Sequence, residues 1–471
     1  MADISELRYV KGIVNCFIVN YNPAKVRCNR FRLRKMPTIN QSYKKFNLSN
    51  FHQPSFLHAS NIYCVNLRQY SPEGSMTAFS AQLPRLKDMG VEILWFMPIH
   101  PIGKVRRKGT LGSYYSIADF REVNPEFGSK ADFKLLVETA HQMGMKVIMD
   151  WVANHAAWDN VWTISNPDFF VKDDTGNFKP PYDWDDVIQI DHSNEKEQQA
   201  MIDAMLYWIG NFNIDGFRAD LAHLTPLSFW INARVQASSL KDDLIWLAET
   251  EEIDYHQAFD ISFSWQWMHG TEDYCKGQKD FSALIHILEH YKNDFPLDAL
   301  RMWFTSNHDE NSWNGTAFEK YGNYVKAFSV FNASFPGIPL IYSGEEAGLS
   351  KRLKFFDKDP IDWNDHAGWH DFYKKLLHLR KRNDAISAGS DSYPVFLEGF
   401  REKNMLAYYR IKGNSAVLVF INLSKEKQTL SFDTEGFSGN YIDIFSGERV
   451  WLHAAGTIAL EPAGFLLLEK D

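Results

Sequence analysis

Cysteine is scarce in this 471-residue chain: there are four, Cys16, Cys28, Cys64 and Cys275, and no CxxC pair. That excludes a disulfide-stapled scaffold and the common cysteine zinc sites. No run approaches the ~20 apolar residues that a membrane-spanning helix needs, so no span is expected. The nearest stretch, Gly12 to Val19, is short and broken by Asn15, and no small-residue cleavage site follows it cleanly, which gives a secretory leader little support. Internal repeats and low-complexity tracts are also absent, which sets aside solenoids and compositionally disordered chains. Basic charge is not in excess, since the formal net charge is −9. Residues 1–45 hold ten Lys or Arg against Asp3 and Glu6, a local balance of +8, so the remainder carries −17. An acidic body excludes nucleic acid as the main partner.

What the chain does have is the content of a large folded protein. Hydrophobic residues make up 45% and charged residues 23%, close to a globular average. Aromatics reach 15%, with 15 Trp and 35 Phe; most such rings form core, but sugar-handling clefts also stack aromatic faces on pyranose rings. From about residue 58 a rhythm begins in which a short apolar run ends in polar residues and a longer helical pattern follows. The strands read Asn61 to Arg68, Val91 to Pro98, Lys146 to Ala153, Ile214 to Asp220, Leu244 to Glu249, Ala258 to Phe263, Arg301 to Ser306 and Pro339 to Tyr342. Helices are expected between them, among others over Ser80 to Met89, Lys130 to Met143, Glu195 to Asn211 and Asp280 to Tyr291, with Gly90 and Gly144 as stops. Eight βα units predict an α/β fold, a closed (β/α)8 TIM barrel.

The third and fourth strands are separated by far more chain than one helix needs. The excess, rich in turn residues such as Asn166-Pro167-Asp168 and Pro180-Pro181, predicts a short irregular lobe inserted after strand 3, over about residues 156–190. After about residue 385 the pattern changes to short alternating strands (Leu406 to Arg410, Ala416 to Asn422, Gln428 to Phe432, Gly464 to Leu468), which predicts a C-terminal antiparallel β-sandwich. The expected division is a basic, poorly ordered extension over 1–55, a barrel over 56–384 and the sandwich over 385–471.

Chemistry-bearing residues collect at the strand ends. In Gly216-Phe217-Arg218-Ala219-Asp220, alternation puts Arg218 and Asp220 on one side, so a guanidinium can hold the carboxylate oriented and ionised. A structural ion pair fits those five residues equally well. Three other strand ends change the weight: Asp150 with Asn154 and His155, Glu249, and Asn307-His308-Asp309. Carboxylates and histidines converging on one barrel mouth best suit glycoside hydrolysis, in which one carboxylate attacks the anomeric carbon and a second protonates the leaving oxygen.

With the blocks Asp150 to His155, Gly216 to Asp220, Ile245 to Glu249 and Phe304 to Asp309 in that order, the sequence resembles the α-amylase family, glycoside hydrolase family 13. Gly112 to Tyr115 with Asp119, Asn124 to Gly128 and Gly337 to Glu346 add to the likeness, which covers about residues 58–375. The resemblance implies that Asp220 is the nucleophile, Glu249 the general acid/base and Asp309 the third carboxylate, gripping sugar hydroxyls. It also implies that His155 and His308 hydrogen-bond the sugar and that Tyr115 is its stacking platform. Arg218 is then expected to fix Asp220 ionised, while Glu249 stays protonated with the help of neighbouring carboxylates and partial burial. His223 and Leu224 stand where many relatives have Lys-His, so His223 is the acceptor-side candidate. Asn154 stands at a frequent calcium-ligand position, but Gln189 replaces the partnering Asp, so no cofactor is required and Ca2+ stays an open alternative. Trp158, Trp184, Trp265 and Trp267 are candidates for either cleft or core.

The expected partner is an α-glucan or maltooligosaccharide substrate, with no nucleic acid. The reading is a retaining hydrolase of α-1,4 bonds in starch, glycogen or maltooligosaccharides. The alternatives are an α-glucan transglycosylase, an α-1,6-active or cyclomaltodextrin-type hydrolase, and, in another class, a non-catalytic glucan-binding relative. Oligomeric state is left open, and a cytoplasmic location is favoured over a periplasmic or secreted one.

Overall fold

A computed structural model describes residues 48–471 except 297, 366, 388–391, 434–436 and 454. The basic segment 1–45, and with it most of the extension expected over 1–55, lies outside the described residues. Its last part belongs to the barrel floor, where Gln53 Nε2 donates to the Asp260 and Asp298 carbonyls and Phe51 lies under the Arg234 guanidinium.

Eight parallel strands close a barrel: β1 (Ile62–Val65), β2 (Ile93–Phe96), β3 (Lys146–Trp151), β4 (Gly216–Ala219), β5 (Ile245–Ala248), β6 (Ile261–Phe263), β7 (Leu300–Trp303) and β8 (Ile338–Tyr342). Each pairs with its sequence neighbours, and Ile62↔Leu340 closes the ring. Six strands fall within the expected runs, whereas β7 and β8 each start one residue earlier; all but β8 are shorter than expected, because side chains end them. Asn66 accepts from the Gln69 amide and turns the chain after β1 into the helical turn Leu67–Tyr70. Gly216 is required at the start of β4: its φ is +147°, and a Cβ there would stand 2.0 Å from the Ile245 carbonyl oxygen.

Polar side chains just before the strands lock the floor of the barrel. Asn61 accepts from the Glu92 amide, Asp215 from the Val147 amide and Asp260 from the Trp246 amide, at 3.2, 2.8 and 3.0 Å. Asp215 also meets His141 Nε2 at 2.6 Å, Lys241 Nζ at 3.0 Å and Lys146 Nζ at 3.2 Å.

Two loops rise over the opposite face. The lobe after β3 opens with His155–Ala157 paired antiparallel to Val187–Gln189. The loop after β2, over residues 97–129, is as prominent and was not expected as an excursion. It leans on the lobe, with Lys108 Nζ at 2.8 Å from Asp185 and 2.9 Å from Asp186, and with Arg106 over the Trp158 ring.

The C-terminal domain is a two-sheet β-structure of unequal layers. One layer has six antiparallel strands in the order β9 (Val395–Phe396), β10 (Met405–Lys412), β11 (Ser415–Asn422), β16 (Phe465–Lys470), β13 (Gly439–Asp443) and β14 (Arg449–Leu452). The other, among the described residues, has β12 (Gln428–Asp433) and β15 (Ala455–Leu460). Alternation buries both faces of the large sheet. Leu406 and Tyr408 pack toward the barrel, whereas Met405 and Ala407 pack in the domain's own core. Arg410 seals the junction, donating to the carbonyls of Ser334 and Ile386, each at 2.9 Å.

Burial opposes the charge on Asp215, yet His141, Lys241 and the Val147 amide hold its carboxyl down at about 2. A depressed folded-state pKa gives stability that is present above the unfolded value and is lost as pH falls through the folded one. Asp215→Asn is therefore expected to cost about 2–3 kcal/mol at pH 7. In urea titrations the gap between wild type and variant should narrow as pH drops from 4 to 2; a constant gap would contradict this account.

Candidate active site

Along β4, Phe217 and Ala219 point to the helices while Arg218 points into the barrel, and Phe217 is held outside by the Trp151 and Trp246 rings. Register sets Asp150 of β3 directly beside Arg218. The buried Arg218 Nη1 donates to Asp150 Oδ1 at 2.8 Å and to Asp220 Oδ1 at 2.9 Å, and Nη2 stands 2.8 Å from Glu249 Oε2. One guanidinium thus serves three carboxylates, with the Trp95, Tyr115 and Phe263 rings around it. Asp150 is completed by Trp95 Nε1 at 3.1 Å and the Tyr115 hydroxyl at 3.0 Å.

Asp309 reaches the cluster from the end of β7, with its Oδ2 3.2 Å from His308 Nε2. The same His308 nitrogen meets the Tyr115 hydroxyl, and the two rings stack within 19°. His155 starts the lobe ribbon, with the Trp184 ring edge-on at 5.6 Å. Seven of the eight expected site residues therefore share one mouth: Tyr115, His155, Arg218, Asp220, Glu249, His308 and Asp309. His223 stands apart, exposed on the turn Ala222–Leu224 at the rim.

Residue 221 supplies a feature that sequence reasoning missed. Leu221 adopts φ 39° and ψ 51°, a left-handed conformation that costs a non-glycine residue about 1–2 kcal/mol. Its amide donates to Glu249 Oε2 at 2.8 Å, so the turn that follows Asp220 also orients Glu249. Asp150 was legible as a strand-end carboxylate, but its sharing of Arg218 was not. Of the four tryptophans, Trp184 lies at the mouth. Trp158 sits in the lobe, with Nε1 donating to the Asp185 carbonyl, and Trp265 stacks on Phe263 and His269. Trp267 is core, stacked on Phe331, the packing side of its two expected alternatives.

Crowding of acids in a dry pocket sets the electrostatics. Burial lifts the Asp220 carboxyl well above the usual range; Glu249, Asp150 and Asp309 add to the rise and Arg218 opposes it. Asp150 is pushed up to about 6, by burial first, against Arg218. Asp309 is also moved to about 6 by burial, with Arg218 lowering and Glu310 raising. Its side chain keeps 39% of its exposure toward the mouth, however, so solvent screening discounts that rise. Burial lowers His155 to about 4, and burial together with Arg218 lowers His308 to about 3, so both imidazoles are neutral at neutral pH. Asn307 Nδ2 and His308 Nδ1 are buried without a partner among the described residues, a state that costs about 1–3 kcal/mol per group. A hydroxyl-rich ligand suits them, since it can accept from one and donate to the other.

The groups around Asn154 do not fit a calcium ion. The Asn154 carbonyl accepts from the Ile190 amide and the Ala153 carbonyl meets His192 Nε2, while Gln189 offers a neutral amide where an anionic oxygen is wanted. Among the described residues, no group of three or more His, Cys, Asp or Glu is placed to hold a metal, and no helix is long and apolar enough to cross a membrane.

A family model described as the alpha amylase catalytic domain matches residues 41–367. The chain is 25% identical over 450 residues to a protein named alpha-amylase 2 of Dictyoglomus thermophilum, covering 85% of this chain and 75% of that one. A crystal structure of an alpha-amylase from Lactobacillus plantarum superposes with a TM-score of 0.80 at 30% identity, covering 88% of this chain and all of that one. A noncanonic maltogenic alpha-amylase from Thermotoga neapolitana gives 0.81 at 30% identity over 88% and 99% of the two chains.

Asp150 is a carboxyl whose folded-state pKa is raised, so the folded protein binds more protons between pH 4 and 6 and loses stability as pH rises through that window. Asp150→Asn should remove this component, on the order of 1–2 kcal/mol, so that its melting temperature changes less than the parent's between pH 4 and 6.5. Parallel pH profiles for the two proteins would show that the pocket carries no such burden.

Proposed function

Because the chain belongs to the α-amylase family of glycoside hydrolases, we propose that it cleaves α-1,4-glucosidic bonds of starch, glycogen or maltooligosaccharides with retention, through a covalent glycosyl-enzyme. The observation that carries this reading is the set Asp220, Glu249 and Asp309 at one barrel mouth, two of them held by the buried Arg218.

In the first step Asp220 attacks the anomeric carbon while Glu249 gives its proton to the departing oxygen. Arg218 and the Leu221 amide keep both carboxyls aimed before substrate arrives, so little reorganisation is needed in the transition state. Tyr115 offers its ring face to the sugar at the cleavage position. His155 and His308 act as neutral hydrogen-bonding groups, and Asp309, the most open of the carboxylates, grips hydroxyls as the ring flattens. In the second step Glu249 takes a proton from water, which attacks the glycosyl ester and restores the α configuration.

The family resemblance assigns the positions of His223 and Leu224 to the leaving-group side, where a sugar hydroxyl competes with water for the same intermediate. That position supports a second reading, an α-glucan transglycosylase. Chromatography of a maltooligosaccharide digest separates the two, since transfer makes chains longer than the substrate. Pullulan and cyclomaltodextrin as substrates test the α-1,6-active and cyclomaltodextrin-type alternatives. The non-catalytic glucan-binding alternative is disfavoured by the presence of all three carboxylates.

Asp220→Asn should lower release of reducing ends from soluble starch by at least about 10^3-fold, and Glu249→Gln by about 10^2- to 10^4-fold, with both proteins still folded by circular dichroism. The first-formed reducing end of the wild-type product should be α by proton NMR. Variants as active as the parent, or a β product, would refute the mechanism.

A further inference from the structure

In an α-1,4-glucan the two ends of each glucosyl unit face opposite ways, which gives the cleft a direction. At the cleavage position C1 lies at Asp220, and the leaving sugar lies beyond Glu249 at the end of β5. The unit bonded through O4 therefore lies across the mouth from β5, on the side of the β1, β2 and β8 ends. That side is built from residues that the mechanism does not use. Trp313 is exposed over 53% of its surface and rests on Phe355 and Phe356, with ring centroids 5.4 and 5.6 Å away. Phe355 in turn faces Tyr115, nearly parallel at 14°.

The exposed ring is rigidly held. Trp313 belongs to the π-turn Glu310–Asn314 that follows Asp309, a conformation that is rare and concentrated at functional sites. Glu310 pins the turn from inside, accepting from Lys320 Nζ at 2.9 Å and from Asn314 Nδ2 at 2.8 Å, and Asn311 ties it to the β8 loop through the Leu353 amide at 2.9 Å. Behind it the β2 and β8 loops are joined across the mouth. The Leu111 amide donates to the Phe356 carbonyl at 2.9 Å, and Thr110 donates to Asp357 Oδ1 from its amide at 2.9 Å and its hydroxyl at 2.6 Å. The packing leaves no slack, because a Cβ on Gly109 would stand 2.5 Å from Phe356 Cβ.

We propose that Trp313, backed by Phe355 and Phe356, is the platform for the single glucosyl unit next to the cleavage position on its non-reducing side, and that the bridged loops end the cleft there, so that disaccharide units are released from non-reducing ends. This rests on the α-glucan reading above. An indole held against the joined loops gives a pyranose ring one apolar face and leaves its hydroxyls in water.

The test is a time course of maltoheptaose digestion with wild type, Trp313→Ala and Trp313→Phe. The wild type should give maltose as the main early product. Trp313→Ala should lose that preference and raise KM about ten-fold with kcat little changed, and Trp313→Phe should keep the wild-type pattern. Wild-type early products spread over all lengths, or Trp313→Ala giving the wild-type pattern and KM, would overturn this inference while leaving the α-glucan reading intact. A wild type that turns over no maltooligosaccharide would overturn both.

Discussion

Arg218 carries one positive charge, buried among three carboxylates at hydrogen-bonding distance, with a fourth, Asp309, close by. If all four acids ionise, the pocket holds a large uncompensated negative charge in a medium that solvates it poorly. The protein cannot relieve this by opening the pocket, because the strands that carry Arg218 and its partners are barrel neighbours in fixed register. The cluster must instead retain protons, and Asp150, Asp220 and Asp309 are all displaced upward. The proposed two-step mechanism needs Asp220 itself ionised, so the burial that raises its carboxyl works against the attack and Arg218, which opposes that rise, works for it.

Much of the surrounding structure follows from keeping that cluster dry and rigid. The floor is closed by side chains that cap neighbouring strands, Asp215 and Asp260 among them. From above, the β2 loop brings Tyr115 onto Asp150 and His308, and the lobe brings His155 and Trp184 beside it. Leu221 is held in a left-handed conformation at the position where its amide meets Glu249. Local strain of this size is tolerated where surrounding contacts over-determine the backbone, as the barrel strands on either side do here.

The barrel was legible because its signals are local: eight apolar runs, each followed by a helical pattern, survive without knowledge of what touches what. The four motif blocks were legible for the same reason, since each lies within six residues. What escaped was whatever depends on contacts between distant segments. Nothing near residue 218 indicates that its guanidinium is divided among Asp150, Asp220 and Glu249, because their positions relative to Arg218 come from strand register. Leu221 gave no warning, since leucine disfavours positive φ and the signal would have pointed elsewhere. The β2 loop, residues 97–129, owes its place over the mouth to contacts with distant segments, such as Lys108 with Asp185 and Asp186. Among the tryptophans, sequence could not separate Trp184 at the mouth from Trp267 in the core, since an indole suits both places. In the C-terminal domain β10, β11, β12 and β16 were legible, whereas β9, of two residues, β13, β14 and β15 were not.

The central claim is that Asp220, held by Arg218, forms a covalent bond to the substrate's anomeric carbon. A slow fluorinated α-glucosyl substrate, incubated with the Glu249→Gln protein and followed by peptide mass mapping, tests it most directly. The account predicts one added glycosyl group on the peptide that contains Asp220. A label on Asp150 or Asp309 instead, or turnover with no labelled protein at all, would contradict it.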